Sequence, residues 1–140
     1  MKFWDSSALI QLFVEQDQSV ILRKIVKDDT DIVVWWGTIL ECESAIARLR
    51  RECIVTVDQE EQIRSKLKIA SSCWIEIMPG EQVRQVASRL LINHPLRTAD
   101  SLQLAAAITW AGAPVQDDCF VCLDSKLKEA ARKEGFSLLP

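Results

Sequence analysis

Two runs in the chain are apolar on both of the faces that a strand presents. Ile32-Val33-Val34-Trp35-Trp36 and Cys119-Phe120-Val121-Cys122-Leu123 show no polar alternation. Successive side chains of a strand point to opposite sides, so an uninterrupted apolar run must be covered on both. A parallel sheet between two helix layers meets that condition, and a sheet with one wet face does not. The rest of the chain supplies the other elements. Lys2 to Trp4 reads as a short strand, and Asp5-Ser6-Ser7 as a helix start leading into Ala8, Leu9, Leu12 and Phe13. Helices are expected over Gln18 to Val26, Thr38 to Arg51 (Ile39, Ala45, Ile46 and Leu49 inward), from Asp58 onward, Glu81 to Ile92, Thr98 to Trp110, and Ser125 to Glu134. Trp74 to Met78 and Phe136 to Leu139 complete the strands, with Pro79-Gly80 and Gly135 as stops. The alternation predicts an α/β fold of three layers, with a central, mostly parallel sheet flanked by helices.

The 140 residues are 49% hydrophobic and 26% charged, as in one ordinary domain spanning 1–140 with no linker or repeat. Folding such a chain buries roughly two-thirds of its surface, so no disulfide is needed. Seventeen Lys and Arg against twenty Asp and Glu leave a net charge of −3, which excludes wholesale attraction to nucleic acid or an anionic membrane. Any polyanion must be held by a local patch. The opening Met1-Lys2-Phe3-Trp4-Asp5 is no signal peptide, and the apolar stretch Leu104 to Val115 is too short for a bilayer and broken by Gly112 and Pro114. The expectation is a soluble, cytoplasmic protein away from membranes. Cys42, Cys53, Cys73, Cys119 and Cys122 are irregularly spaced and are expected to be buried free thiols. Trp4, Trp35 and Trp36 fall in strand runs and are expected in the core. Neither GxGxxG, GxxxxGK[ST] nor GxSxG occurs, which disfavours nucleotide-dependent kinases, dehydrogenases and elbow-type serine hydrolases. The single histidine, His94, precedes Pro95 and is expected at the surface or in a cap.

In open parallel sheets, ligands bind beyond the carboxyl ends of the strands. Asp5 directly follows the first strand, and Asp124 the run Cys119 to Leu123. Glu41 lies near a helix start after Trp35-Trp36, and Asp100 at the head of the most apolar helix. One reading of each acid is local: Asp5 and Asp124 as N-caps, Asp100 as a favourable charge in a first helical turn. The other is collective. Two carboxylates about 4 Å apart repel by about 4 kcal/mol at an effective dielectric of 20. Several acids on one sheet edge therefore imply a cation among them. Oxygen ligands without His or Cys suit Mg²⁺ or Mn²⁺ rather than zinc. Such an ion serves phosphoryl chemistry.

The same residues carry a resemblance. Asp5-Ser6-Ser7-Ala8-Leu9 after an N-terminal strand resembles the opening of PIN domains, and Thr38-Ile39-Leu40-Glu41-Cys42-Glu43-Ser44-Ala45 resembles their T-x-x-E-x-x-S-A helix start. Leu96 to Ala105, with Thr98-Ala99-Asp100 at its centre, is similar to the family's most recognisable stretch. Phe120 to Asp124, with Leu127, Ala130-Ala131 and Gly135-Phe136, resembles its C-terminal block. The blocks span the chain in the family's order, nearest to VapC-type toxins of toxin–antitoxin pairs. The resemblance implies a PIN-like fold and a Mg²⁺- or Mn²⁺-dependent endoribonuclease. It implies a four-acid catalytic site of Asp5, Glu41, Asp100 and Asp124, with Asp5, Asp100 and Asp124 on the metal. It also implies an RNA substrate, an antitoxin partner and a homodimer. A non-catalytic PIN-like module that binds RNA or protein is the alternative.

Residues around these acids have two readings each. Glu41 and Glu43 point roughly 200° apart on a helix, so only one faces the site, and the spacing from Thr38 favours Glu41. Asp117 and Asp118, in an unexpectedly long segment from Gly112, are either loop charges or indirect contacts to the metal. Arg48, Arg50, Arg51, Arg97 and Lys126 either hold RNA phosphates or are ordinary solvated charges, with Arg97 best placed by its position before Asp100. Ser7 and Thr98 carry hydroxyls beside the acids, for capping or for orienting a carboxylate.

Overall fold

The computed structural model describes all residues, 1–140. Five strands form: β1 (Lys2–Trp4), β2 (Ile32–Trp35), β3 (Ile75–Ile77), β4 (Cys119–Val121) and β5 (Ser137–Leu139). Seven helices connect them: α1 (Ser6–Leu9, continued by a 3-10 turn over Ile10–Leu12), α2 (Ser19–Asp28), α3 (Thr38–Arg51), α4 (Val57–Ser71), α5 (Glu81–Asn93), α6 (Thr98–Ala111) and α7 (Ser125–Lys133). The strand order is β3-β2-β1-β4-β5, and every neighbouring pair is parallel. The chain leaves β1 toward β2 and β3 on one side and returns to β4 and β5 on the other. The reversal therefore lies between β1 and β4, where a crevice is expected at the carboxyl ends.

The two-residue period of the strands sorts the core into two layers. Phe3, Val33 and Phe120 face α5, α6 and α7; Trp4, Val34 and Val121 face α1 to α4. All four residues of β2 are buried, as its unbroken apolar run demands. Phe3 stacks on Phe120 across the parallel pair, with centroids 5.5 Å apart and planes at 12°. Such a pair adds about 0.5–1.5 kcal/mol beyond burial alone. Helix α6 buries Leu104 through Ile108 without a break, so it is the central helix of its layer.

Helix starts follow local chemistry. Thr56 and Gln59 form a reciprocal capping box, so α4 begins at Val57, one residue before the Asp58 start that the sequence suggests. Gly37 precedes α3 where a Cβ would lie 2.6 Å from Trp35 Nε1, so only glycine lets the chain turn over that indole.

Several expectations need correction. β2 stops at Trp35; the Trp36 backbone still bonds Ile77, but its indole is 43% exposed because the turn to Gly37 carries it beyond the helix layers. Ile46 and Leu49 are buried and Ile39 and Ala45 pack half-buried against the same core, with Cys42 a further buried position of α3. All five cysteines are free, but only Cys42 and Cys122 are buried. Cys53 and Cys73 are exposed because each follows the end of a helix in a surface turn. His94 is the C-cap of α5, yet it is buried rather than superficial, its Nε2 2.8 Å from Glu134 Oε1. No helix is long and apolar enough to cross a membrane.

Candidate functional site

Asp5 leaves the carboxyl end of β1 and Asp124 follows β4, so the sheet brings two acids 119 residues apart in sequence to either side of the reversal point. The Asp5 backbone N–H donates to the Val121 carbonyl at 2.9 Å, tying the two strand ends together. Helix α3 brings Glu41 from one layer, and the first turn of α6 brings Asp100 from the other. Asp5, Glu41, Asp100 and Asp124 all line one open cleft of about 450 Å³. No Lys, Arg or His forms an ion pair with any of them.

The local and collective readings hold together, because capping uses one carboxylate oxygen and leaves the other. Asp5 caps α1: its Oδ2 accepts from the Ser7 N–H at 3.0 Å, from the Ser7 hydroxyl, and from the Cys122 thiol at 3.6 Å. All of these reach Oδ2, so Oδ1 is left for the cleft. Asp124 caps α7 by accepting from the Leu127 N–H at 2.8 Å through Oδ1. Ser7 also accepts from the Leu123 N–H at 3.0 Å, so its hydroxyl is a strut between the two strand ends.

Burial pushes the Asp5 carboxyl above its usual range, and the Ser7 hydrogen bonds only partly offset this. Glu41 is raised as well, by burial first; donors pull it down, while the charges of Asp5 and Asp100 add to the rise. The Cys122 thiol beneath Asp5 is also pushed up, by burial and then by that aspartate's charge, so it is a neutral donor. Like charges thus accumulate here without a protein cation to neutralise them. The donors are hard oxygens, which suit a divalent cation such as Mg²⁺ or Mn²⁺. The carboxylates share the cleft without drawing three together around one point.

Ser7 lines the cleft, whereas Arg97 and Thr98 are exposed and lie outside its lining. Arg97 is the N-cap residue of α6 and makes no side-chain cap bond. Glu43 is exposed and outside the cleft, on the far side of α3 from Glu41. Asp117 and Asp118 precede β4 and so sit at the amino end of the sheet, the opposite edge from the four acids. The Asp118 carbonyl accepts from the Ser137 N–H there at 3.0 Å, a structural task.

One residue of the site has no place in the sequence reading, and a second appears there only among several candidate cations. Gln103 is 1% exposed; its Nε2 donates to Glu41 Oε2 at 2.7 Å and its Oε1 accepts from the Thr38 hydroxyl at 3.4 Å. Its signal is one polar side chain inside the apolar run after Leu102, one turn beyond Asp100. Arg48, one of several candidate cations, lines the cleft two turns along α3 from Glu41. A larger polar hollow of about 690 Å³ lies between Gln11 and Pro140 and contains none of the four acids; its Lys128 already donates to the Pro140 carbonyl at 2.6 Å.

No family model matches the chain, and no curated protein matches it in sequence. Solved structures do match in three dimensions. FitAcB from Neisseria gonorrhoeae covers 100% of this chain and 97% of its own, with a TM-score of 0.70 at 12% identity. VapBC2 from Rickettsia felis, bound to a DNA fragment from its promoter, covers 99% and 98% with a TM-score of 0.69 at 12% identity. A toxin–antitoxin complex from Klebsiella pneumoniae covers 90% and 88% with a TM-score of 0.65 at 13% identity. What the chain shares with these structures, over nearly its whole length, is the PIN-like fold that its four sequence blocks imply.

Proposed function

We propose that the protein is a Mg²⁺- or Mn²⁺-dependent endoribonuclease, the toxin of a cytoplasmic toxin–antitoxin pair, acting as a homodimer. The observation that carries this reading is the cleft itself. Four acids from four remote segments line one open hollow at the carboxyl edge of the sheet, none neutralised by an ion pair. A divalent ion bound there supplies polarisation of a phosphate oxygen and a more acidic water. Asp5, Asp100 and Asp124 would hold it, once drawn closer together than the cleft now sets them. Glu41 is held by Gln103 through Oε2 and by the Ser6 hydroxyl, which position its carboxylate to take the proton of the attacking water. Its raised proton affinity suits it to that task better than an ordinary carboxylate. The antitoxin partner is supported by the toxin–antitoxin complexes among the structural neighbours.

The test is cleavage of RNA by purified protein, first after EDTA and then after Mn²⁺ is restored. Cleavage should stop and return, and the 5′ ends of RNA after induced expression should show a defined set of cuts. Cleavage that continues in EDTA sinks the reading. The alternative, a module that binds RNA or protein without cutting, draws on the fact that no three acids are gathered around one point. It predicts RNA binding with no new 5′ ends.

A further inference from the structure

Helix α3 presents a polar stripe to the cleft at a helical period. Glu41, Ser44, Ala45 and Arg48 all line it, at relative positions 0, 3, 4 and 7. Arg48 is the only basic side chain in the lining, and it is exposed. Its neighbour Arg50 is committed elsewhere, 3.8 Å from Glu60, which also holds Arg64 at 2.9 Å, and Arg51 lies outside the lining. Arg48 has no carboxylate partner, although it shares a hollow with four acids. Seven residues of helix place its backbone about 10 Å along the axis from Glu41, inside the same depression and in no ion pair with the acids.

A phosphodiester strand approaching this cleft meets four negative charges in a chain that is itself net acidic. A divalent ion offsets them at the bond to be cut, but the neighbouring phosphates remain. We propose that Arg48 is the phosphate clamp of the site, binding the backbone phosphate next to the scissile one, as juxtaposition with Glu41 on one face of α3 requires. The inference rests on the nuclease reading and adds to it the direction of the strand: along α3, from Glu41 toward its C-terminal end. Arginine suits the task because its planar fork binds a phosphate through two parallel hydrogen bonds. Arg97, the best candidate by sequence position, is left outside the cleft.

The test is equilibrium binding of a fluorescent single-stranded oligoribonucleotide, with Ca²⁺ in place of Mn²⁺ to slow cleavage, over a range of salt. Arg48→Ala should weaken binding about tenfold and flatten the salt slope by about 0.7. Arg48→Lys should restore the slope but only part of the affinity. Arg51→Ala, one turn further on and outside the cleft, should bind as wild type. The rise in melting temperature with Mn²⁺ should be the same in all four proteins. Equal binding by wild type and Arg48→Ala, with a normal metal response, overturns the clamp and leaves the nuclease reading standing. Equal losses in Arg48→Ala and Arg51→Ala overturn it too, because they indicate a diffuse field. Wild-type protein that binds no RNA overturns both.

Discussion

Glu41 and Glu134 are both partly screened from water, and their surroundings pull their protons in opposite directions. Burial alone pushes Glu134 upward, but the hydrogen bonds and charges of Arg89 and His94 outweigh it and hold its carboxyl below the ordinary range. Arg89 grips both of its oxygens, at 3.1 and 2.7 Å, and His94 adds a contact at 2.8 Å. Glu41 is raised by burial first; it receives only neutral donors, the Ser6 hydroxyl and Gln103, and it faces like charges. The first arrangement is complete and fastens the end of α5 to the end of α7. The second is incomplete as far as the protein goes. A chain that can satisfy a half-buried acid this fully at one corner, and leaves four acids without cations at another, has a use for the unsatisfied ones. An acidic residue is therefore informative through what has been withheld from it.

The comparison can be broken most readily at the acids. Asp100→Asn and Asp5→Asn should each lower RNA cleavage by more than about 100-fold, with melting temperatures at or above that of wild type, because like-charge repulsion is relieved. A loss of activity that merely follows a loss of fold would equate the two corners. Saturating Mn²⁺, at a hundred times its dissociation constant, should stabilise wild type by about 2.7 kcal/mol and Asp5→Asn by much less, as read by thermal melting. A flat response in wild type removes the reason for the acid cluster. The reverse pattern is expected at the other corner. Glu134→Ala should cost about 1–3 kcal/mol in urea unfolding, since it strips the partner from His94, while cleavage per folded molecule is unchanged. Gln103→Leu should sharpen the contrast within the site. It should lower cleavage about tenfold and shift stability by less than about 1 kcal/mol, because it frees Glu41 without opening the core.

The smallest effect is in the acid range, and its sign differs between the corners. A carboxyl lowered by folding stabilises above its unfolded pKa, and that contribution is lost as pH falls through the folded value. The advantage of wild type over Glu134→Ala should therefore begin to shrink in the ordinary glutamate range and vanish only below it. A carboxyl raised by folding favours the folded state most below its unfolded pKa, and that contribution is lost as pH rises through the folded value. The advantage of Asp5→Asn over wild type should accordingly be full near neutrality and begin to fade at a higher pH, as acidification protonates Asp5. Melting temperatures of the three proteins across that range check the order. Simultaneous fading of the two differences contradicts the assignment of opposite shifts.

The parallel sheet and its layers were legible because they rest on local patterning. An apolar run such as Ile32 to Trp35 admits few environments, and Phe3 and Trp4 sort to opposite faces by strand period alone. Element ends were less legible, since Trp36 and the Asp58 start depend on a turn and a capping box that pattern does not encode. All four acids could be located as sheet-edge residues because each follows a strand or lies in the first turn of a helix. Arg97 and Thr98 stay beside Asp100 at the start of α6, but a helix turns neighbouring side chains to different sides, and theirs are exposed outside the cleft lining; Asp117 and Asp118, open between loop charges and indirect metal contacts, stand at the opposite edge of the sheet.

The amino-acid sequence by itself determined the α/β layering, the oxygen-rich character of the candidate site and the absence of a phosphate-binding glycine loop, all properties of residue type and short-range spacing. Tertiary structure alone decided that His94 and Arg89 neutralise Glu134, that Gln103 reaches Glu41, and that Arg48 is the cation that shares the cleft with the acids. Hydrogen bonds and charge pairs act over a few ångströms, and the groups that meet here are 40 to 62 residues apart, so no local pattern records which of them meet.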